Sequence, residues 1–353
     1  MEILNNIISM SILVTGGLGY IGSHIVFQLL ELDYSVIIID NLSNCSVNKL
    51  SVITSNLTNK LNNNNLSFYQ IDMLDYEKLS SIFKNNKIHG VIHLAGLKSV
   101  GESIGNPELY YTNNIVSTLN LIKCMGKYQV FNLIFSSSAT VYGNINQSPI
   151  KETDVIGQGI TNPYGKTKYY QEEILRDLFV SDSRFNIIIL RYFNPIGHLN
   201  LNFKEEPNGI PNNLFPYVVK VHNCELEKLT IFGSDYNTRD GTCIRDFIHV
   251  VDLADSHISS LKYLLDKNTD NMNNLDNLDV AQGEICVYNV GTGNGTTVLE
   301  LINAYEKVNN TKINYEFGNR RNGDVEQVYA DVNLIYEKIG WKSKYTLESM
   351  VKI

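Results

Sequence analysis

The sequence predicts an α/β fold: a doubly wound parallel sheet joined to a smaller, loop-rich α/β region. Three observations predict it. Short β-branched apolar runs alternate with amphipathic helical patterns through the first half of the chain. A glycine-rich turn, Gly16-Gly17-Leu18-Gly19-Tyr20-Ile21-Gly22, joins the first such run to the first helical pattern. An acid, Asp40, closes the second run, about 20 residues past the turn.

The apolar runs give candidate strands at Ser11–Thr15, Ser35–Asp40, Leu66–Ile71, Gly90–Leu94, Phe131–Ser136 and Asn186–Arg191. Nearly continuous apolar strands imply a parallel sheet covered on both faces. Between them, Ser23–Leu32, Leu79–Lys84, Thr112–Tyr128 and Lys166–Phe179 read as amphipathic helices. After residue 195 the alternation stops. Pro195, Pro207, Pro211 and Pro216, with interspersed Gly and Asn, suggest loops. The expected division is a dinucleotide-binding unit over 1–195 and a second unit over 196–353, with a strand at Ile285–Val290 able to rejoin the first sheet. Two Asn-dominated tracts, 56–65 and 268–279, read as disordered surface insertions without a role.

With 353 residues, 43% of them hydrophobic, the chain can bury a sizeable core. Its net charge of −8 and pI of about 5.4, with no long Lys/Arg run, argue against nucleic acid as a partner. The five cysteines, Cys45, Cys124, Cys224, Cys243 and Cys286, are scattered without a C-x-x-C pair. They read as free thiols in a reducing, cytoplasmic compartment. No apolar run is long enough to span a membrane, and Met1-Glu2-Ile3-Leu4-Asn5-Asn6 lacks the basic and apolar segments of a secretory signal. The seven histidines form no ligand-spaced cluster, so no metal site is expected, and His249 reads as a packed strand-end residue.

The glycine turn is built for phosphate. Gly16, Gly19 and Gly22 allow a sharp bend, close backbone approach and tight helix–strand packing. The helix that follows offers free N–H groups and a positive dipole to a pyrophosphate. Asp40 stands where a carboxylate accepts from adenosine ribose hydroxyls. A 2′-phosphate there would meet like charge, and Asn41-Leu42-Ser43 offers no arginine. The coenzyme expected is therefore NAD, not NADP.

A second constellation supplies proton chemistry: Ser138 at a strand end, then Tyr164 and Lys168 opening a helix just after Pro163. Residues four apart share a helix face, which puts Lys168 beside Tyr164. A phenol is a poor base at neutral pH. A nearby ammonium and a cationic nicotinamide favour the phenolate, and bringing its pKa to about 7 takes roughly 4 kcal/mol. Ser138 can bond the same substrate oxygen or relay the proton. Tyr263 and Lys267 show the same spacing without this context.

The stretch Phe135-Ser136-Ser137-Ser138-Ala139-Thr140-Val141-Tyr142-Gly143 resembles the active-site strand of the extended short-chain dehydrogenase/reductases. Further blocks narrow the resemblance to their UDP-glucose 4-epimerase family. They are Ala95-Gly96-Leu97-Lys98-Ser99-Val100-Gly101-Glu102-Ser103, Tyr110-Tyr111-Thr112-Asn113-Asn114 and Arg191-Tyr192-Phe193-Asn194-Pro195, followed by Gly209-Ile210-Pro211-Asn212-Asn213-Leu214 and Arg245-Asp246-Phe247-Ile248-His249-Val250. The resemblance runs from about Ser11 to about Leu347. It implies a Rossmann fold binding NAD, a UDP-sugar substrate and a homodimer, with the helices at Asn114–Tyr128 and Tyr164–Phe179 as the candidate seam.

The resemblance also implies roles. Tyr20 and Ile21 would meet the pyrophosphate through backbone; Asp40, Asn41, Leu42, Ser43, Asn44 and Cys45 would surround the adenosine ribose. Asp72 and Met73 would meet adenine. Leu94, Ala95, Gly96, Leu97, Lys98 and Asn113 would line the cofactor, with Lys168 and Phe193 at its nicotinamide half. Asn194, Asn213, Thr230, Ile231, Phe232, Arg245, Arg321 and Asp324 would hold the UDP-sugar: the two arginines grip the diphosphate as fork donors and Asp324 accepts from uridine ribose. The implied reaction, part of galactose metabolism, is reversible C4 epimerisation of UDP-galactose and UDP-glucose. Hydride passes transiently to bound NAD through a 4-keto sugar.

Two positions depart from relatives. Where related dehydratases carry an Asp-Glu pair to eliminate water, this chain has Ala139-Thr140. At the sugar-pocket gate, where some relatives carry Tyr, it has Val328, which leaves room for an N-acetyl group and hence for UDP-GlcNAc and UDP-GalNAc. The chain also ends sooner after Met350 than the family pattern does. Two alternatives stay open: another NAD-dependent UDP-sugar enzyme, a decarboxylase or dehydratase, and a catalytically silent NAD-binding module.

Overall fold

The computed structural model describes residues 10–58, 65–144, 147–204, 213–273, 282–321 and 324–353. Seven strands make its main sheet: β1 (Ser11–Thr15), β2 (Ser35–Asp40), β3 (Leu66–Gln70), β4 (Gly90–His93), β5 (Asn132–Ser138), β6 (Asn186–Tyr192) and β7 (Ile285–Val290). All pair in parallel, in the order β7-β6-β5-β4-β1-β2-β3. The order reverses between β1 and β4, and a crevice opens there beyond the carboxyl ends of the strands.

Burial on both faces explains the unbroken apolar runs. Ile12, Leu13 and Val14 of β1 are all fully buried, so neither face tolerates a polar alternation. Helices α1 (Tyr20–Glu31) and α5 (Val250–Asn273) cover one face; α2 (Tyr76–Asn85), α3 (Ser117–Lys127) and α4 (Pro163–Ser181) cover the other. Ile25, Leu29, Leu253 and Leu261 fill the first layer, and Leu79, Phe83, Leu121 and Leu175 fill the second. Beyond the sheet, the strand Leu229–Phe232 pairs with Tyr315–Gly318, and a core of Phe215, Val218, Ile231, Leu301 and Tyr305 packs around it.

Four local differences from the sequence expectations have physical causes. β5 runs on to Ser138 because its ladder with β6 continues through Ser136–Leu190, Ser137–Arg191 and Ser138–Tyr192. α4 starts at Pro163 because the Asn162 side chain caps it, accepting from Gly165 N–H at 2.8 Å. The expected helix Thr112–Tyr128 opens with a π-helical segment, Thr112–Val116, which turns Asn114 inward. α5 is 24 residues long and was not legible, since it follows a proline-rich stretch and runs into an Asn tract.

The Asn tracts are corrected in part. Asn56 accepts from Asn200 Nδ2 at 2.9 Å, and Thr58 donates to Glu31 through its N–H and its hydroxyl, at 2.8 and 2.6 Å. Residues 268–273 continue α5. The remainder, 59–64 and 274–281, lies outside the described residues. All five cysteines are free. Among the described residues no helix is long and apolar enough to cross a membrane, and no three His, Cys, Asp or Glu gather to hold a metal.

Candidate active site

Two glycines of the turn after β1 leave no room for a side chain. Gly16 sits at φ +67°, where a Cβ would stand 2.9 Å from Ala95 N; a Cβ on Gly22 would stand 2.2 Å from Gly16 O. Gly19, the N-cap of α1, supplies no capping side chain, and the first turn holds no acid. The positive end of α1 is thus bare toward the crevice. Asp40 braces this turn, accepting from Leu18 N–H at 3.1 Å and Leu42 N–H at 2.9 Å, while the Cys45 thiol donates to it at 3.4 Å. Burial and that carboxylate push the Cys45 thiol up to about 12.

A cleft of about 1260 Å³ extends from the turn to Tyr164 and Lys168. Gly16, Gly19, Tyr20, Ile21, Gly22, Asp40, Asn41, Ser43, Asn44, Cys45, Asp72, Met73, Leu94, Ala95, Gly96, Leu97, Lys98, Asn113, Tyr164, Lys168 and Asn213 all line it. Leu42, Ser138 and Phe193 do not: Leu42 packs on the core, Ser138 ends β5 and caps the turn through Thr140, and Phe193 is buried with Val141, Tyr142 and Ile150. Asn114, which sequence reasoning gave no role, shapes the 94–98 wall. Its amide accepts from Leu97 N–H at 2.8 Å and donates to Leu97 O and Thr167 Oγ1, both at 3.0 Å.

At the inner end, Tyr164 and Lys168 project from one face of α4. Ser138 Oγ accepts from the Thr140 N–H at 3.2 Å and the Thr140 hydroxyl at 3.0 Å. Its own proton is therefore free to donate toward the Tyr164 phenol. Burial raises the Tyr164 phenol above its ordinary value, while Ser138 opposes the rise. Lys168 is held by Ser136: its Nζ donates to the Ser136 carbonyl at 2.7 Å and to Ser136 Oγ at 3.4 Å, and it lies 4.9 Å from the centre of the Phe135 ring. Burial lowers its pKa to about 7, with the Glu172 carboxylate opposing. The ammonium shares the cleft with the phenol, and its recorded partner is Ser136.

What fixes α4 over β5 is a buried ion pair. Arg191 donates to Glu172 through Nη2 at 2.7 Å and through Nε at 3.0 Å. Ser137 donates to the same carboxylate at 2.5 Å, and Tyr142 accepts from Arg191 Nη1 at 2.9 Å. Arg191 and Tyr142 stood in the quoted sequence blocks, but nothing in their spacing disclosed the pairing with Glu172.

Most of the expected sugar-nucleotide residues form a second cluster beside the cleft. Arg321 forks onto Asp324 at 3.0 and 3.1 Å and lies 5.1 Å from the Phe232 ring centre. Arg245 Nη2 stands 3.7 Å from the same carboxylate and is anchored on the Ile244 and Val325 carbonyls, each at 2.8 Å. Val328 pairs with Arg245 and packs near Phe193 and Ala139. Thr230 and Phe232 flank Ile231, whose side chain is buried in the outer core and can offer only backbone. Asn194 donates its N–H to Asp246 O at 2.9 Å. Asp246 in turn accepts from Thr292 N–H and Oγ1 at 2.7 Å, Gly293 N–H at 3.0 Å and Ala330 N–H at 3.1 Å, tying this cluster to the end of the main sheet. His249 is buried with its ring stacked on Tyr345, centroids 3.9 Å apart.

Comparison with known proteins agrees with this arrangement. A family model described as GDP-mannose 4,6 dehydratase matches residues 13–353. UDP-glucose 4-epimerase 2 of Arabidopsis thaliana is 48% identical over 344 residues, covering 97% of this chain and 93% of the relative. The Bacillus subtilis UDP-glucose 4-epimerase is 46% identical over 342 residues, covering 97% and 94%. The chain belongs to the UDP-glucose 4-epimerase family. A crystal structure of the Bifidobacterium longum UDP-glucose 4-epimerase, solved in complex with NAD+ and UDP, superposes with a TM-score of 0.86 at 42% identity, covering 97% of this chain and 96% of that one. Within the broader dehydratase-like family, the Ala139-Thr140 step is telling. Thr140 is engaged with Ser138 and offers no carboxyl to protonate a leaving hydroxyl.

Proposed function

We propose that this protein interconverts UDP-galactose and UDP-glucose by C4 epimerisation, using NAD that stays bound through turnover. The observation that carries this reading is one continuous cleft with a phosphate turn and Asp40 at one end and Tyr164 and Lys168 at the other. The residues fit the coenzyme. The glycine cradle that a Cβ would fill and the bare N-terminus of α1 suit a pyrophosphate, and Asp40 keeps lone pairs for a ribose. NAD supplies an acceptor, and later a donor, for the hydride on C4.

The chain's own part is positioning and proton handling. Ser138 donates to the sugar O4, and Tyr164 takes the O4 proton. Lys168, in the same cleft, supplies positive charge that favours the phenolate. Arg245, Arg321, Asp324 and Asn213 hold the nucleotide end, so the 4-keto sugar can turn about its diphosphate and take hydride on the other face. Asp324 is then released by the arginine fork for the uridine ribose. Purified protein given UDP-galactose and no added coenzyme yields UDP-glucose on this reading; strict dependence on added NAD counts against it.

Val328, half-buried beside Phe193 and Ala139, supports acceptance of UDP-GlcNAc and UDP-GalNAc. Val328→Tyr is expected to abolish turnover of UDP-GlcNAc while UDP-galactose is still processed; no turnover of UDP-GlcNAc by the unaltered protein refutes the idea. The coenzyme unit is residues 1–195 with β7, and residues 196–353 mainly hold the sugar nucleotide. A homodimer is supported by exposed apolar side chains on Pro107–Lys127 and α4: Leu109 (48% exposed), Leu119 (43%) and Tyr170 (44%). Sedimentation equilibrium tests it. Five free thiols support a cytoplasmic setting.

A further inference from the structure

A segment of the second unit is fastened to the first. Past β6 the chain runs through Gly197 to Lys204 and makes one 3₁₀ turn, Leu201–Phe203, where the Asn200 side chain accepts from Asn202 N–H at 3.0 Å. Leu201, Asn202 and Lys204 line the same cleft as Asp40, Asn44 and Cys45, the residues expected around the adenosine ribose. Contacts hold the segment along its length. Tyr20 Oη donates to Gly197 O at 2.5 Å, and Leu199 N–H donates to His24 Nε2 at 3.1 Å. Asn200 Nδ2 donates to Asn56 Oδ1 at 2.9 Å. Phe203 is fully buried, its ring centre 5.1 Å from that of His24 and 5.5 Å from that of Phe27. Lys49 Nζ donates to the Asn202 and Lys204 carbonyls at 3.3 and 3.4 Å. These anchors all stand on α1 or on the short helix Lys49–Ser55 and its C-cap Asn56, the helices that precede and follow β2.

We propose that His24 and Lys49 are positioning residues for the coenzyme: they fasten residues 197–204 as a strap along the adenosine end of the cleft, and the strap slows the release of NAD. The proposal rests on the reading that NAD stays bound through turnover, and it names what keeps it there. The chemistry of each anchor suits the task. His24 Nδ1 lies 2.8 Å from the Tyr20 carbonyl, which only accepts, so Nδ1 carries the proton and Nε2 is left to accept from Leu199. The imidazole thus bridges the first turn of α1, where the pyrophosphate would sit, to the strap. Lys49 is 8% exposed, and a buried ammonium has to find acceptors. Two carbonyls at the end of the 3₁₀ turn supply them, so lifting the strap uncovers a charge as well as breaking two bonds. Because the contacts act on one short segment, the strap lifts only when they break together.

The test is the rate at which the purified, NAD-loaded protein loses its coenzyme on dilution into excess alcohol dehydrogenase and ethanol, which convert released NAD to NADH. Wild type is compared with Lys49→Met, His24→Leu, Asn56→Ala and Phe203→Ala. Of these positions only Lys49 lines the cleft. Leu261→Ala is the control: it opens a cavity in the same core layer, against Gly90 at the start of β4, the opposite end of the sheet from the cleft. Lys49→Met, His24→Leu and Asn56→Ala are each expected to speed release about three- to tenfold, the size of one lost hydrogen bond. Phe203→Ala is expected to speed it about tenfold or more. His24→Gln, which keeps an acceptor for Leu199 N–H, restores slow release, and Leu261→Ala matches wild type. If His24→Leu or Phe203→Ala does not fold, the less buried Asn56→Ala decides. Release that quickens in Lys49→Met alone assigns a direct contact between that lysine and the coenzyme and overturns the strap. Release that quickens as much in Leu261→Ala assigns a merely structural role and overturns it too, as do rates equal to wild type throughout. Those outcomes leave the reading beneath intact; wild type that carries no NAD, or sheds it at every turnover, overturns both.

Discussion

On the proposed reading Tyr164 is the residue on which the chemistry turns, and two influences on its phenol oppose each other. Burial makes its phenol a weaker acid, while Ser138 pulls the other way. A base held in reserve suits a reaction that borrows a proton and returns it. Removing the hydroxyl leaves helix and cleft intact, so Tyr164→Phe is expected to lower kcat by about 10²–10⁴ with KM nearly unchanged. Near-wild-type turnover in that variant removes the assignment. Ser138 and Thr140 illustrate what the sequence could and could not disclose. Ser138 was legible because a strand end, a downstream Tyr-x-x-x-Lys and a cofactor turn coincide. Thr140 was visible only as an absence of acid; its part in filling the lone pairs of Ser138 depends on a turn two residues long.

At the level of elements, the β1–turn–α1–β2 unit could be read directly because its logic is local. Apolar strand, glycines and terminal Asp40 lie within one stretch of chain. A side chain at Gly22 has nowhere to go, so Gly22→Val is expected to abolish NAD retention, as measured by coenzyme released on denaturing the purified protein. The placement of α4 was not legible. It depends on Arg191 and Glu172, 19 residues apart, and on Ser137, 35 residues from that carboxylate. Arg191→Met leaves a buried carboxylate without its buried charge partner and with only the half-exposed Arg176 at 3.3 Å. It is expected to cost about 3–5 kcal/mol, read from the urea midpoint. The π-helical opening before α3 and the inward Asn114 escaped for a similar reason: apolar periodicity records which face is buried, not how wide one turn is. α5 escaped because composition on both sides pointed to loop, yet it supplies half the cover of one sheet face.

The whole molecule carries several buried, neutral histidines. Burial lowers His24 and His93 to about 3, and His249 and His257 to about 4. Their folded values lie below the unfolded value of about 6.5, so the unfolded chain binds more protons between those limits. Stability therefore falls as pH drops below about 6.5, by up to about 1.4 kcal/mol per histidine per pH unit, until the folded values are reached. A urea midpoint that is flat from pH 6.5 to 4.5 contradicts this.

The central claim is that hydride leaves C4 of the sugar and returns to the same carbon on the opposite face, within one protein that never lets its coenzyme go. The most direct measurement follows a label. UDP-galactose carrying deuterium at C4 is incubated with purified protein in ordinary water without added coenzyme. The account predicts UDP-glucose that keeps its deuterium at C4. Loss of the deuterium to solvent during conversion contradicts it.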